Sequence, residues 1–150
     1  MNIGSFLTHL HRRAFAGRFV DGGKEIGRPF AFPPIHQGRT ILAHGGAWWA
    51  GLGANGAQGT RLWSISGAVA KPGCYEAPNG IVLQELLDAY AGGLTEPAGA
   101  IVPGGAASGI LPPSALSTPL TREALRELGA GVGSAAVQVF PQSYSPLRLL

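Results

Sequence analysis

The chain has 150 residues, enough for one domain with its own core, and 45% of them are hydrophobic, with a mean hydropathy of +0.18, which excludes wholesale disorder. Eleven Lys and Arg stand against eight Asp and Glu. The small excess gathers in His9, His11, Arg12, Arg13, Arg18, Lys24 and Arg28 and reads as a solvated basic tail, with no nucleic-acid partner implied.

Residues 1–39 carry no sustained hydrophobic period and read as an irregular basic leader. A short helix over Gly4–Phe15 would place Phe6, Leu7, Leu10 and Phe15 loosely on one side. Transit peptides share this composition, with no acidic residue before Asp21, but no cleavage signal stands out and a leader of another kind fits equally. The DGG at Asp21–Gly23 and the PFAFPP at Pro29–Pro34 demand turns and extended backbone, and a boundary falls at His36–Arg39. No window reaches the roughly 18 consecutive apolar residues that span a bilayer, so membrane contact would come only indirectly, through a partner.

Residues 40–60 form a Trp- and Gly-rich segment. Its first residues read as the last turns of a helix that Gly45 and Gly46 end, and Gly53–Gly59, GANGAQG, is a loop by composition. Two adjacent indoles among glycines suit a fixed loop that covers or docks against something. Arg61–Val69 alternates as a strand, with Trp63, Ile65, Gly67 and Val69 on one face and Leu62, Ser64, Ser66 and Ala68 on the other. Lys71, Pro72 and Gly73 make a tight turn, and Cys74–Ala77 returns as the second strand of a hairpin.

After Pro78–Gly80, the residues Val82, Leu83, Leu86, Leu87 and Tyr90 recur at helical spacing until Gly92 and Gly93. Ala100–Val102 is short and apolar, as at the end of a central strand. Thr121–Leu128 reads as a second helix, with Thr118 or Thr121 as its N-cap, and Ala135–Phe140 as a final strand. The terminal residues 141–150 have turn chemistry and read as a tail.

The chemistry-bearing residues are sparse. His9, His11, His36 and His44 have no ligand spacing with acids or with Cys74, so no metal site is expected. No nucleophile and base arrangement is legible, so no catalytic residue is expected either. The lone cysteine excludes an internal disulfide and cannot by itself assemble a four-thiolate cluster. PGGAASG at Pro103–Gly109 resembles an anion-cradling loop but lacks the lysine of a P-loop. GLGANG at Gly51–Gly56 has GxGxxG spacing, yet a strand follows it where one should precede it. Trp48 and Trp49 offer faces for a flavin, a nicotinamide or a base, and equally serve as interface anchors. The interface or ligand-loop candidates are therefore Trp48, Trp49, Gly51, Gly53, Gly104, Gly105 and Ser108.

Three motifs in order carry a resemblance: GGAWWAGLGANGAQGTRLWSISGAVAKPGCYE at Gly45–Glu76, IVPGGAASGILP at Ile101–Pro112 and GAGVGSAAVQVF at Gly129–Phe140. Together, over roughly residues 40 to 140, they resemble the soluble-ligand-binding β-grasp (SLBB) region of the flavin-bearing, NADH-oxidising subunit of NADH:quinone oxidoreductase. Related subunits occur in NAD-linked hydrogenases and formate dehydrogenases. The resemblance implies an α+β fold, a β-grasp (ubiquitin-like) mixed sheet with one main helix, Gly/Pro-rich loops and an irregular N-terminal tail, with the β-grasp at 61–140. The order hairpin, helix, strand, helix, strand is what that fold needs.

The family subunit holds FMN, binds NAD(H) beside it and passes electrons to a 4Fe-4S cluster. The flavin loop similar to GRGGAGFPTG, the acidic nucleotide-binding segment and the CGxCxPCR cysteines are not found in this sequence. The resemblance therefore implies a non-catalytic domain or fragment that binds none of FMN, NAD or 4Fe-4S alone. Its partners would be a flavin domain or other subunits of an NADH dehydrogenase complex. It would be cytoplasmic in a bacterium, associated with a membrane through that complex, or in the mitochondrial matrix of a eukaryote. An independent SLBB small-ligand module, or a remnant of a split or truncated subunit, are the alternatives. Cys74 stands where the family's PGVYE-like motif carries a small aliphatic residue, which implies a buried valine substitute and no redox role.

Overall fold

The computed structural model describes residues 20–21, 24–25 and 33–144. The helix expected over Gly4–Phe15, most of the basic leader and residues 145–150 lie outside the described residues. A two-residue strand β1 (Val20–Asp21) pairs antiparallel with β2 (Lys24–Glu25). Helix α1 (Pro33–His44) follows. Its start corrects the expectation of extended backbone through Pro34, because proline is tolerated in a helix's first turn, where its missing N–H has no intrahelical partner to lose. The expected helix end at Gly45 is seen, with that residue at φ +89°, but one further turn, α2 (Gly46–Ala50), resumes after it.

Four strands make the main sheet: β3 (Thr60–Gly67), β4 (Gly73–Pro78), β5 (Ala98–Val102) and β6 (Ala136–Pro141), in the order β4-β3-β6-β5. β3 pairs antiparallel with β4 and parallel with β6, and β5 pairs antiparallel with β6. This is the mixed α+β sheet of a β-grasp, with the two parallel strands at its centre. The expected alternation of β3 is borne out: Trp63 and Ile65 are buried and Ser64 and Ser66 exposed. Val137 and Val139 of β6, Tyr75 and Ala77 of β4 and Ile101 of β5 fill the same inner face.

Across that face lies α3 (Leu83–Ala91), which buries Leu83, Leu86, Leu87 and Ala91, the spacing of a single helical stripe. Each leucine so enclosed contributes about 2 kcal/mol of apolar transfer. Gly92, in left-handed conformation, ends the helix as expected. A 3-10 helix (Pro113–Ser117), which the sequence reading did not anticipate, leads to α4 (Arg122–Glu127). Of the two candidate caps it is Thr121 that acts, its Oγ1 accepting from the Ala124 amide at 3.2 Å.

Two placements differ from expectation. β5 is an edge strand, not a central one, and its outer side is met by Leu111, whose backbone exchanges hydrogen bonds with Ile101 at 2.9 and 2.7 Å. Cys74 pairs across from Ser64 on the outer face of the sheet, so it is half-buried and not enclosed in the core. The side chain on the core side of β4 is its neighbour Tyr75, which pairs with Trp63.

Candidate functional site

Because β3 and β6 run parallel and β4 and β5 run against them, the starts of β3 and β6 and the ends of β4 and β5 share one end of the sheet. Residues 51–59, 79–82, 103–110 and 129–135 therefore lie at that end, with 51–59 bonded to 79–80 and 103–110 bonded to residues 131–136. The register is staggered, with Thr60 opposite Pro78 but Ser64 opposite Ala136, so β6 begins about 13 Å further along than β3 at ~3.3 Å per residue. All seven candidate residues lie at this end, in two groups.

The first group is the helical elbow and its loop. Trp48 of α2 is 40% exposed, and its ring lies 4.7 Å from that of His44 at a tilt of 36°. Leu42, on α1, is 89% exposed. Trp49 is half-buried, and its six-membered ring lies where any Cβ on Gly59 would sit, so only glycine lets the indole close down on the start of β3. The Gly51 amide donates to Ala47 O at 3.1 Å and closes α2, while Gly53 abuts the Ala57 carbonyl. Asn79 N donates to Gly59 O, Ala54 N to Asn79 O and Asn55 Nδ2 to Gly80 O, each at 2.8 Å. These bonds fasten the loop to the β4–α3 turn, as a packed loop and not a linker.

The second group is PGGAASG. The Gly104 amide donates to Ser108 Oγ at 3.0 Å, the Gly105 amide to Ala136 O at 2.9 Å and the Ser108 amide to Gly105 O at 2.9 Å. Ser108 is 6% exposed, and its carbonyl accepts from Gly131 N at 2.8 Å. Gly104 O accepts from both the amide and the hydroxyl of Ser134, at 3.0 and 3.2 Å. The Gly104 and Ser108 amides are thus spent within the loop itself, and the loop is fastened to residues 131–136 by the Gly105 amide and by the Gly104 and Ser108 carbonyls.

Sequence reasoning missed Arg61. It sits at the same end of the sheet on the inner side of β3, with its guanidinium 5.6 Å from the ring centroid of Trp63, within cation–π range. Burial lowers its pKa, and the charge of Arg122 acts in the same direction. Only the alternation that puts Arg61 on the face of Trp63 was visible locally, since Arg122 comes from a helix 61 residues away. Burial raises the Cys74 thiol, which disfavours its thiolate. Among the described residues no group of three or more His, Cys, Asp or Glu is placed to hold a metal, and no helix is long and apolar enough to cross a membrane.

Comparison with known proteins fits this geometry. The SLBB domain family matches residues 64–110. The F 2 subunit of NADH-quinone oxidoreductase in Rhizobium meliloti (strain 1021) is 36% identical over 111 residues, 73% of this chain and 26% of that protein. The F subunit of the same enzyme in Rickettsia rickettsii (strain Sheila Smith) is 39% identical over 107 residues, 69% of this chain and 25% of that protein. Among solved structures, NAD+-reducing NiFe-hydrogenase in the H2-reduced state superposes with a TM-score of 0.60 at 31% identity, over 73% of this chain and 18% of that one. The chain spans about a quarter of the length of the curated relatives it matches. The chain thus carries an SLBB domain, and the matched region corresponds to the SLBB portion of the NADH-quinone oxidoreductase F subunit.

Proposed function

We propose that this chain is a non-catalytic β-grasp module that packs beside an FMN- and NADH-binding domain supplied elsewhere, in an NADH dehydrogenase of the respiratory type. The observation that carries the reading is the elbow of α1 and α2. Trp48 and Leu42 stand outward on a segment that Trp49 and the Asn79 hydrogen bonds fix to the sheet. A large apolar side chain on a fixed support is what an interface anchor requires, because little conformational entropy remains to be lost on docking. The length of the relatives, about four times the matched stretch, supplies a body for such an anchor to meet.

In this reading Trp48 is the anchor, Trp49 with Gly51 and Gly53 holds it in place, and Gly104, Gly105 and Ser108 shape the adjoining rim. FMN, NAD and the 4Fe-4S cluster belong to the partner domains, and the membrane is reached only through the assembled complex. Titration of the full chain with FMN and with NADH tests this: no tight binding and no diaphorase turnover are expected, and robust NADH oxidation overturns it. A thermal-shift screen that finds a tight soluble ligand, with no association with a flavin-bearing domain, would favour an independent SLBB binding module instead.

A further inference from the structure

We propose that His44 makes the Trp48 anchor proton-sensitive: the charged imidazole holds the indole against the end of α1, and docking through Trp48 weakens. The inference rests on the reading of Trp48 as a docking anchor and adds its regulation. The chain turns a corner between the two residues. Helix α1 ends at His44, and Gly45, at φ +89°, redirects the backbone before α2 begins. The Gly45 amide donates to Ile41 O at 2.7 Å and the Trp49 amide to Gly45 O at 3.3 Å, so the corner is bonded on both sides. It returns Trp48 to the last turn of α1, with ring centroids 4.7 Å apart at a tilt of 36°. Both residues are exposed, so the pair is open to solvent and to a partner alike.

From Thr40 to Thr60, a stretch that holds the end of α1, all of α2 and the loop fastened to the sheet, His44 is the only titratable residue. The other charged or titratable positions of α1 are His36, about 12 Å back along the axis, and Arg39, about 140° around it. α2, the element packed against α1, carries none. Among the described residues the imidazole of His44 has Trp48 as its one side-chain partner. An imidazole changes charge between about pH 5 and 8. Neutral, it shares only contact surface with an indole. Charged, it is drawn to the indole's π face and to the carbonyl end of its own helix, and both attractions hold the pair at the corner. A partner that covers Trp48 must then separate the rings or enclose an imidazolium stripped of water, and either step opposes docking. A cation–π contact at an exposed site shifts such an equilibrium by about two- to fivefold.

The test uses the full chain at pH 8 and at pH 5.5, with far-UV circular dichroism to verify the fold of each variant at both values. Proton NMR reads the ring contact: Overhauser contacts between the His44 and Trp48 rings should strengthen in acid, and Trp48→Leu should remove them. Calorimetry against a flavin-bearing domain reads docking. Binding should be about threefold or more weaker at pH 5.5 than at pH 8. His44→Gln, which keeps a polar side chain at an exposed helical position, should remove that difference, any remainder belonging to the partner's own groups. Ring contacts that do not respond to pH overturn the proposal. So does acid-weakened docking that His44→Gln retains in full, or docking that tightens in acid through His44, which would assign the residue to a carboxylate on the partner. No association at either pH overturns the docking reading, and the regulation with it. The ring contacts of the free chain distinguish that result from failure of the His44 and Trp48 pair alone.

Discussion

The Trp49 indole closes over Gly59 with its Nε1 enclosed and without a hydrogen-bond partner, and Trp63 Nε1 is in the same state in the core. An enclosed donor without an acceptor costs about 1–3 kcal/mol, which apolar burial of the ring has to exceed. Trp49→Phe removes the donor and keeps most of the ring, so it should change stability by less than about 1 kcal/mol. Trp49→Ala should lose about 2 kcal/mol or more; urea midpoints of the two variants check the contrast. Cys74 offers a second residue-scale expectation. Its folded-state pKa is raised from 9.0 by burial, so the folded chain holds the thiol proton more tightly than the unfolded chain. The contribution is fully present below the unfolded pKa and is lost as pH rises through that value and then through the higher folded one. Stability measured from pH 8 to 10.5 should fall less steeply in Cys74→Ser than in the parent. That Cys74 faces outward was not legible from its position after the turn, because register alone decides which of two neighbours points inward.

At the scale of elements, residues 129–135 and PGGAASG clasp one another through backbone hydrogen bonds, with the Ser134 hydroxyl adding one to Gly104 O. Gly133, at φ +46°, lies against the Gly104 carbonyl so closely that a Cβ would strike it. Gly133→Ala therefore combines left-handed strain with a backbone collision, and should cost about 2 kcal/mol or more. The measurement is again a denaturant midpoint, with hydrogen exchange at the Ser134 and Gly105 amides expected to accelerate first. The elements with strong local signals were legible: the α3 stripe from Leu83 to Ala91 with its glycine stop, the alternation of β3, and the cap at Thr121. Those decided by long-range partners were not. Ala98–Val102 is as apolar as a central strand, yet its edge position follows from which neighbour β6 accepts. The start of α1 at Pro33 was hidden because two prolines argue equally for extended chain and for a first helical turn.

At the scale of the whole molecule, the parallel pairing of β3 with β6 gathers candidate residues from sequence positions 48 to 108 at one end of the sheet. Their recurrence as motifs was readable, but their convergence was not, since it depends on strand order. If that end docks through Trp48, Trp48→Ala should leave the unfolding midpoint of the free chain within about 0.5 kcal/mol, as for an exposed site. It should also weaken association with a flavin-bearing domain by about 2 kcal/mol or more, the loss of an interface hot spot, in a pull-down or calorimetric titration. The three tryptophans are graded in exposure, with Trp48 outward, Trp49 half-covered and Trp63 enclosed. The protein is therefore its own optical ruler. A collisional quencher reaches Trp48 first, and a blue-shifted, quencher-resistant emission on mixing with another protein would report coverage of the elbow without any attached label.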